Sequence, residues 1–292
     1  MFNEVVHPKI EDVEDVGGQL RRWTVVNQEV ILGDCLAELR HLAASSVDVV
    51  VTSPPYNIGV AYRSYDDSRP REDYLAWLAE IGLEIKRLEA GRVTVPERRG
   101  HQHRPWLPMD VATVFRNHFT LQNHIAWVKS VSIREDSYGH FKPIRSQRFL
   151  NSNHEAIFHF TNSGSVTIDR LAVGVPFADK SNIARRGHAQ DRRCPGNAWF
   201  IPYETVQSKA QKHHHPAGFP VALPERCIKL HGVAGATVLD PFLGAGSTLV
   251  AAQSLGCKGI GIEIDRGYAE AAVWRLSLSS ERGHTSIVER SR

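Results

Sequence analysis

The run from Ala236 to Asp265, ATVLDPFLGAGSTLVAAQSLGCKGIGIEID, limits what this 292-residue chain can fold into more than any other segment. It reads as a strand ending at Asp240, a turn holding Gly244 and Gly246, a helix starting near Ser247 or Thr248, and a second strand with an acidic residue, Glu263, at its end. Glycines let the backbone bend tightly and approach a ligand, and the amides of the helix start offer donors to anionic or polar groups. Glu263 lies 23 positions after Asp240, near the roughly 20-residue spacing at which a carboxylate meets ribose hydroxyls in nucleoside-binding βαβ units. A plain tight turn with Glu263 on the surface is the bland alternative that short glycine motifs invite. The complete strand, turn, helix, strand, acid context points instead to a ribose-containing ligand. Leu249 stands where a dinucleotide fingerprint has its third glycine, so a compact nucleoside such as S-adenosylmethionine fits better than NAD.

The remaining chain supports an α/β architecture, because strand-like and helix-like runs alternate as in a parallel sheet covered by helices on both faces. VDVVVT, Val47 to Thr52, is apolar and β-branched with two prolines behind it, which suits a buried strand ending at a turn. From Arg71 to Ala90 the spacing of Leu75, Leu78, Leu83 and Leu88 predicts a helix, stopped by Gly91 before the strand RVTV. MDVATVFRNHF and LPERCIKLHG read as helices, HIAWVK and HEAIFHF as strands, GYAEAAVWRLSL as a further helix, and SSERGHTSIVERSR as a loose tail. Between about Thr161 and Pro216 the periodicity fades while Gly, Pro, Asn and Arg accumulate, which predicts an insertion without long core elements.

The second candidate site is TSPPYN, Thr52 to Asn57, directly behind the apolar strand. Ser53 supplies a hydroxyl, the Ser53-Pro54-Pro55 backbone is stiff with carbonyls that no neighbouring amide hydrogen occupies, and Tyr56 offers a flat ring. Such a turn can hold a planar amino group. The lone pair of a nucleobase amine is delocalised into its ring, and acceptors around its N–H bonds favour the pyramidal form as charge develops. Tyr56 is expected to stack on the base and hold it in line with a methyl sulfonium. Taken alone, a Ser-Pro-Pro-Tyr turn is more often structural; the companion glycine turn gives it weight.

Together the two motifs resemble an amino-methylating DNA methyltransferase of the permuted, or β, class, in which the catalytic motif precedes the cofactor motif. The resemblance runs through ILGDCLAEL, DVVVTSPPYN, IAWVK, NSNHEAIFHF, GNAWFIP, HPAGFPVALPERCI and VLDPFLGAGSTLVAA in the expected order. It implies a Rossmann-like fold with a mostly parallel sheet of about seven strands, helices on both faces and an inserted target-recognition region. It implies three segments: 1–160 with the catalytic turn, 161–215 for target recognition, and 216–292 with the cofactor turn. By the same resemblance Asp240, Phe242, Gly244, Gly246, Ser247 and Thr248 line the S-adenosylmethionine site and Glu263 holds the ribose. Asp34 is placed near the adenine, a role that stands beside a plain helix N-cap, and His215, Pro216, Phe219 and Pro220 cover the methionine end. Ser53, Pro54, Pro55 and Tyr56 match the catalytic turn without mismatch. Serine at its first position resembles the cytosine-N4 members, aspartate being more typical of adenine-N6 members. Duplex DNA is the implied substrate, its target base flipped into the pocket.

With 35 Lys plus Arg against 32 Asp plus Glu the chain as a whole is no polycation, so DNA affinity must be local. Ser181 to Pro216 carries Arg185, Arg186, Arg192, Arg193, Lys209 and Lys212 against Asp191 and Glu204, a net +4 where the whole chain has +3. The four arginines are the candidate DNA contacts; a solvated charged loop is the alternative. His213 to His215, like His101 and His103, lack a Cys or carboxylate cluster to complete a ligand set, so no metal is expected. Trp127, Trp199 and Trp274 read as core or interface aromatics. Cys35, Cys194, Cys227 and Cys257 form no CxxC pair and read as reduced thiols. The opening lacks the positive start and apolar stretch of a signal peptide, and no run of about 18 apolar residues occurs, so the chain is expected to be cytoplasmic. Adenine-N6 methylation and a cofactor-fold module without turnover remain alternatives, and a cognate restriction endonuclease and a homodimer remain open.

Overall fold

The computed structural model describes residues 10–14, 20–60, 62–88, 92–97, 107–139, 141, 147–148, 150–185, 190–203, 218–232 and 234–289. Twelve strands are β1 (Ile10–Glu14), β2 (Leu20–Val25), β3 (Gln28–Leu32), β4 (Val49–Val51), β5 (Arg92–Glu97), β6 (Thr120–Val128), β7 (Ser130–Ile133), β8 (Asp136–Gly139), β9 (His154–Thr161), β10 (Ala198–Phe200), β11 (Thr237–Asp240) and β12 (Lys258–Glu263). Seven helices accompany them: α1 (Cys35–His41), α2 (Arg71–Arg87), α3 (Leu107–Phe115), α4 (Ser181–Arg185), α5 (Ala222–His231), α6 (Ser247–Ser254) and α7 (Arg266–Glu289).

Ten strands form one sheet in the order β1-β2-β3-β12-β11-β4-β5-β9-β6-β10, and β7 and β8 make a separate hairpin. From β3 through β12, β11 and β4 to β5 every pairing is parallel. The α/β fold with a mostly parallel sheet is therefore as expected, with the seven strands from β3 to β6 extended by β10 at one edge and by β1 and β2 at the other. Side chains two apart on a strand share a face, and β4 shows the consequence. Val50 packs with Leu39, Leu78, Ile81 and Ile85 of α1 and α2, while Val49 and Val51 pack with Leu223, Cys227 and Ala251 of α5 and α6. A strand buried on both faces must be apolar throughout, which is why VDVVVT carries no alternation.

Three local outcomes differ from the expectation or sharpen it. Helix α7 runs on to Glu289, where the composition predicts a loose tail. Where the expected tail begins, Ser277 and Ser279 keep their hydroxyls within the helix by donating to the carbonyls of Val273 and Arg275, both at 3.0 Å. Among its described residues the segment after Thr161 has the short α4 and β10 as its named elements, yet Val173, Phe177, Trp199 and Ile201 are buried, and Arg226 lies over the Trp199 ring at 4.8 Å. Among the described residues no helix is long and apolar enough to cross a membrane.

Candidate active site

Parallel strands deliver their carboxyl ends to one edge, and the two motif turns meet there because β4 and β11 are neighbours. Asp240, fully buried at the end of β11, accepts from Thr52 Oγ1 at 2.7 Å through one oxygen and from Thr248 Oγ1 at 2.7 Å through the other. Phe242 N adds a third bond at 3.1 Å. Burial raises the Asp240 carboxyl to about 6, and these three donors hold it from rising further. One carboxylate thus ties the SPPY turn to the glycine turn across 188 positions of chain.

The turns border a cleft with about 960 Å³ of space between atoms, its open mouth included. Ser53, Pro54, Pro55 and Tyr56 line one side, and Phe242, Gly244, Ser247 and Glu263 another. Asp34 and Phe219 also line it. Asp34 is at the same time the N-cap of α1, accepting from Ala37 N at 3.0 Å, so its two readings coexist. Asp240, Gly246, Thr248 and Pro220 stand outside the lining and shape it from behind; His215 and Pro216 lie outside the described residues.

Gly246 explains the glycine turn physically. Its φ of +83° is left-handed, and a Cβ there would come within 2.8 Å of Ala272 Cβ on α7. From α7, Arg275 Nη1 donates to the Ala245 carbonyl at 2.5 Å, and Ser247 Oγ donates to the Phe219 carbonyl at 2.8 Å, closing the turn against its surroundings. Glu263 at the end of β12 accepts from Gly244 N at 2.7 Å and from Asp265 N at 2.9 Å, one bond to each oxygen. Burial pushes its carboxyl up to about 7 despite those bonds.

On the catalytic side, Ser53 Oγ and Tyr56 Oη share a hydrogen bond of 2.7 Å. Tyr56 is only 3% exposed, so its ring offers little open face in the free protein. Tyr74 on α2 donates from its hydroxyl to the Pro55 carbonyl at 2.8 Å. Asp67, buried, clamps the following loop by accepting from Asn57 N at 2.7 Å, Ile58 N at 3.1 Å and Val60 N at 2.9 Å. Asn57 takes a left-handed φ of +51° in that clamp.

The sequence motifs missed the wall between the turns. Tyr62, Tyr65, Arg69, Trp77, Asp265 and Tyr268 all line the cleft. Trp77 packs on Phe242 at 5.6 Å and on Tyr65 at 5.8 Å, and Arg69 lies over the Tyr65 ring at 4.8 Å. Asp265 caps α7 by accepting from Tyr268 N and also accepts from Ser64 Oγ at 2.7 Å. The available signal was the aromatic and acidic content of NIGVAYRSYDDSRPREDY directly behind the turn, a stretch without period and so without a predictable direction.

Of the candidate DNA contacts, Arg185, Arg192 and Arg193 are exposed, and Arg186 lies outside the described residues. Arg192 donates to the carbonyls of Leu171 and Ala172 at 3.0 and 3.3 Å, which gives it an internal role. Trp127 and Trp199 are buried while Trp274 is 55% exposed. Lys209, Lys212, Glu204, His101, His103 and His213 to His215 lie outside the described residues. Among the described residues no two cysteines form a disulfide.

A cleft at the carboxyl ends of parallel strands, walled by a Ser-Pro-Pro-Tyr turn and a glycine turn, defines the class. The chain belongs to the DNA methylase family, whose pattern matches residues 47–273. It is 27% identical over 262 residues to the DNA adenine methyltransferase YhdJ of Escherichia coli K12, covering 86% of this chain and 83% of that one. Its fold is similar to that of the PvuII DNA methyltransferase (cytosine-N4-specific), with a TM-score of 0.66, 18% identity and coverage of 86% and 87%. It also resembles the putative DNA modification methylase TTHA0409 of Thermus thermophilus complexed with S-adenosyl-L-methionine, with a TM-score of 0.57, 24% identity and coverage of 87% and 96%.

Proposed function

We propose that this DNA methylase transfers a methyl group from S-adenosylmethionine to the exocyclic N4 amine of a cytosine flipped out of duplex DNA, as a member of the permuted β class. The observation that carries the reading is the Asp240 bridge, which sets the SPPY turn and the glycine turn on one cleft. When bound, S-adenosylmethionine supplies a methyl group on a positively charged sulfur, open to displacement by an amine. The residues present fit it. Each Glu263 oxygen accepts one backbone N–H and has lone-pair capacity left for a ribose hydroxyl, and Phe242, Phe219 and Asp34 border the same space.

Ser53 Oγ and the Pro54 carbonyl are the proposed acceptors for the amine N–H bonds, and Tyr74 holds the turn behind them through the Pro55 carbonyl. They favour the pyramidal nitrogen in which the lone pair points at the methyl group. Tyr56 orients Ser53 through their shared hydrogen bond; stacking of its ring on the base requires the cleft to open around DNA. The duplex must surrender the base, because a paired amine is out of line with the methyl donor. The region 161–215 is proposed to read the target sequence, with Arg185 and Arg186 the leading contacts; alanine at both that left DNA binding intact would remove them from that role.

Serine at the head of the turn supports cytosine-N4, and the similarity to an adenine methyltransferase supports adenine-N6 as the second reading. Mass spectrometry of nucleosides from DNA treated with the enzyme and S-adenosylmethionine separates them. N4-methylcytosine is the expected product, N6-methyladenine would establish the second reading, and neither product despite DNA binding would leave a module without turnover. Ser53→Ala is expected to abolish methylation while sparing cofactor binding, and a variant of undiminished rate would refute the role of Ser53.

A further inference from the structure

We propose that the Tyr65 hydroxyl hydrogen-bonds the adenine ring of the nucleoside cofactor, making Tyr65 a recognition residue of the site; the proposal rests on the S-adenosylmethionine reading above. Tyr65 lines the cleft, yet its hydroxyl is shut off from solvent and has no hydrogen-bond partner among the described residues. A buried, unmade hydrogen bond costs free energy, and a native protein retains one where something else completes it. The ring itself is fixed. Arg69 lies over it at 4.8 Å, Trp77 packs against it at 5.8 Å and Tyr62 meets it edge-on at 6.1 Å. Solvent does not reach the hydroxyl past this cluster, so an adenine edge meets it only as the neighbouring rings and Arg69 shift on binding.

The same cluster points to the cofactor and not to the target base. Trp77 connects Tyr65 to Phe242, two residues after Asp240 on the glycine turn, at 5.6 Å. The neighbouring Ser64 is tied by its hydroxyl to Asp265, whose backbone N–H is bonded to Glu263. Tyr65 is thus anchored to the elements that carry the ribose carboxylate. Burial raises the Tyr65 phenol to about 12, which keeps its proton in place for donation to a ring nitrogen. Adenine presents flat faces for the aromatic wall and edge nitrogens for such a donor.

Tyr65→Phe tests this, because it removes one oxygen and keeps the ring. In the ligand-free protein the variant is expected to melt at or above the wild-type temperature, since it deletes an unsatisfied polar atom. Its calorimetric Kd for S-adenosylhomocysteine is expected to rise about three- to tenfold, the worth of one hydrogen bond, with affinity for plasmid DNA unchanged. Unaltered S-adenosylhomocysteine affinity would overturn the proposal, as would a ligand-free melting temperature several degrees below wild type, which would make the hydroxyl structural. Weakened DNA binding with intact nucleoside binding would overturn it too, in favour of a contact to the flipped base. Failure of the wild-type protein to bind S-adenosylhomocysteine would instead remove the underlying reading and the proposal with it.

Discussion

Glu263 is a carboxylate at the end of a parallel strand, buried, with each oxygen held by one backbone N–H. Its ordinary value near 4.5 is pushed up to about 7 because burial disfavours the charged form more than the two amides favour it. In the role proposed for Glu263, ribose hydroxyls donate to the ionised form, so the ligand competes with a proton. Affinity is then complete above about pH 7 and falls as pH drops through that value, by at most about tenfold per pH unit. Calorimetric Kd values for S-adenosylhomocysteine between about pH 5.5 and 8.5 check this, and Glu263→Gln is expected to weaken binding and flatten the profile. Serine or threonine in place of Glu263 would lose the second acceptor and is expected to bind more weakly still.

Elements, more than single groups, set the shape of the glycine turn. Helix α6 starts at Ser247 only because Gly246 turns the chain at positive φ, and α7 approaches so closely that Ala272 fills the space a side chain would need. Gly246→Ala therefore combines a left-handed backbone with a contact of 2.8 Å on Ala272 Cβ and one of 3.1 Å on its backbone Cα. Neither neighbour is a flexible tip that can swing away. A loss of about 2–4 kcal/mol is expected from strain and overpacking together, read as a lower urea midpoint with an unchanged slope. The alternative outcome, a variant as stable as wild type, would mean that α7 yields to α6. On the same face of the sheet, β9 and α5 bury His159 and His231 with ring centroids 5.0 Å apart. Burial lowers them to about 4 and about 3, and each also feels the cation of Arg92. Their neutral forms are retained while the unfolded chain takes up protons from about pH 6.5 downward. Stability from this pair is thus full above about pH 6.5 and is lost as pH falls toward about 4, an acid limb that His231→Leu is expected to shrink in urea unfolding.

At the scale of the molecule the Thr52–Asp240 bond joins the two turns across 188 positions, and its removal tests whether they depend on each other. Thr52→Val keeps shape and leaves Asp240 short of one donor, so a loss of about 1–3 kcal/mol is expected in urea unfolding, with methylation reduced beyond what the remaining folded fraction explains. How much of this was legible in the sequence differs with the range of the interaction. The glycine turn, the apolar double-sided strand β4, the α2 helix and the Asp34 cap are governed by a few consecutive residues, so backbone period and side-chain chemistry announce them; the buried stripe of α2 is Tyr74, Leu78, Ile81 and Ile85, while Leu83 of the expected stripe is exposed. The tail of α7 reads as a loop from its composition, yet the helix continues to Glu289. For Asp67, Tyr74, Tyr65 and Trp77 the sequence offers composition but no direction, since a side chain's value at a site depends on which remote groups it faces. The sequence by itself determined the local turns, their chemistry and their order along the chain. Only the tertiary structure decided that β4 lies beside β11, that Asp240 faces inward to brace both turns, and that an aromatic wall stands between them, because strand pairing across nearly two hundred residues is settled by global packing and leaves no periodic trace.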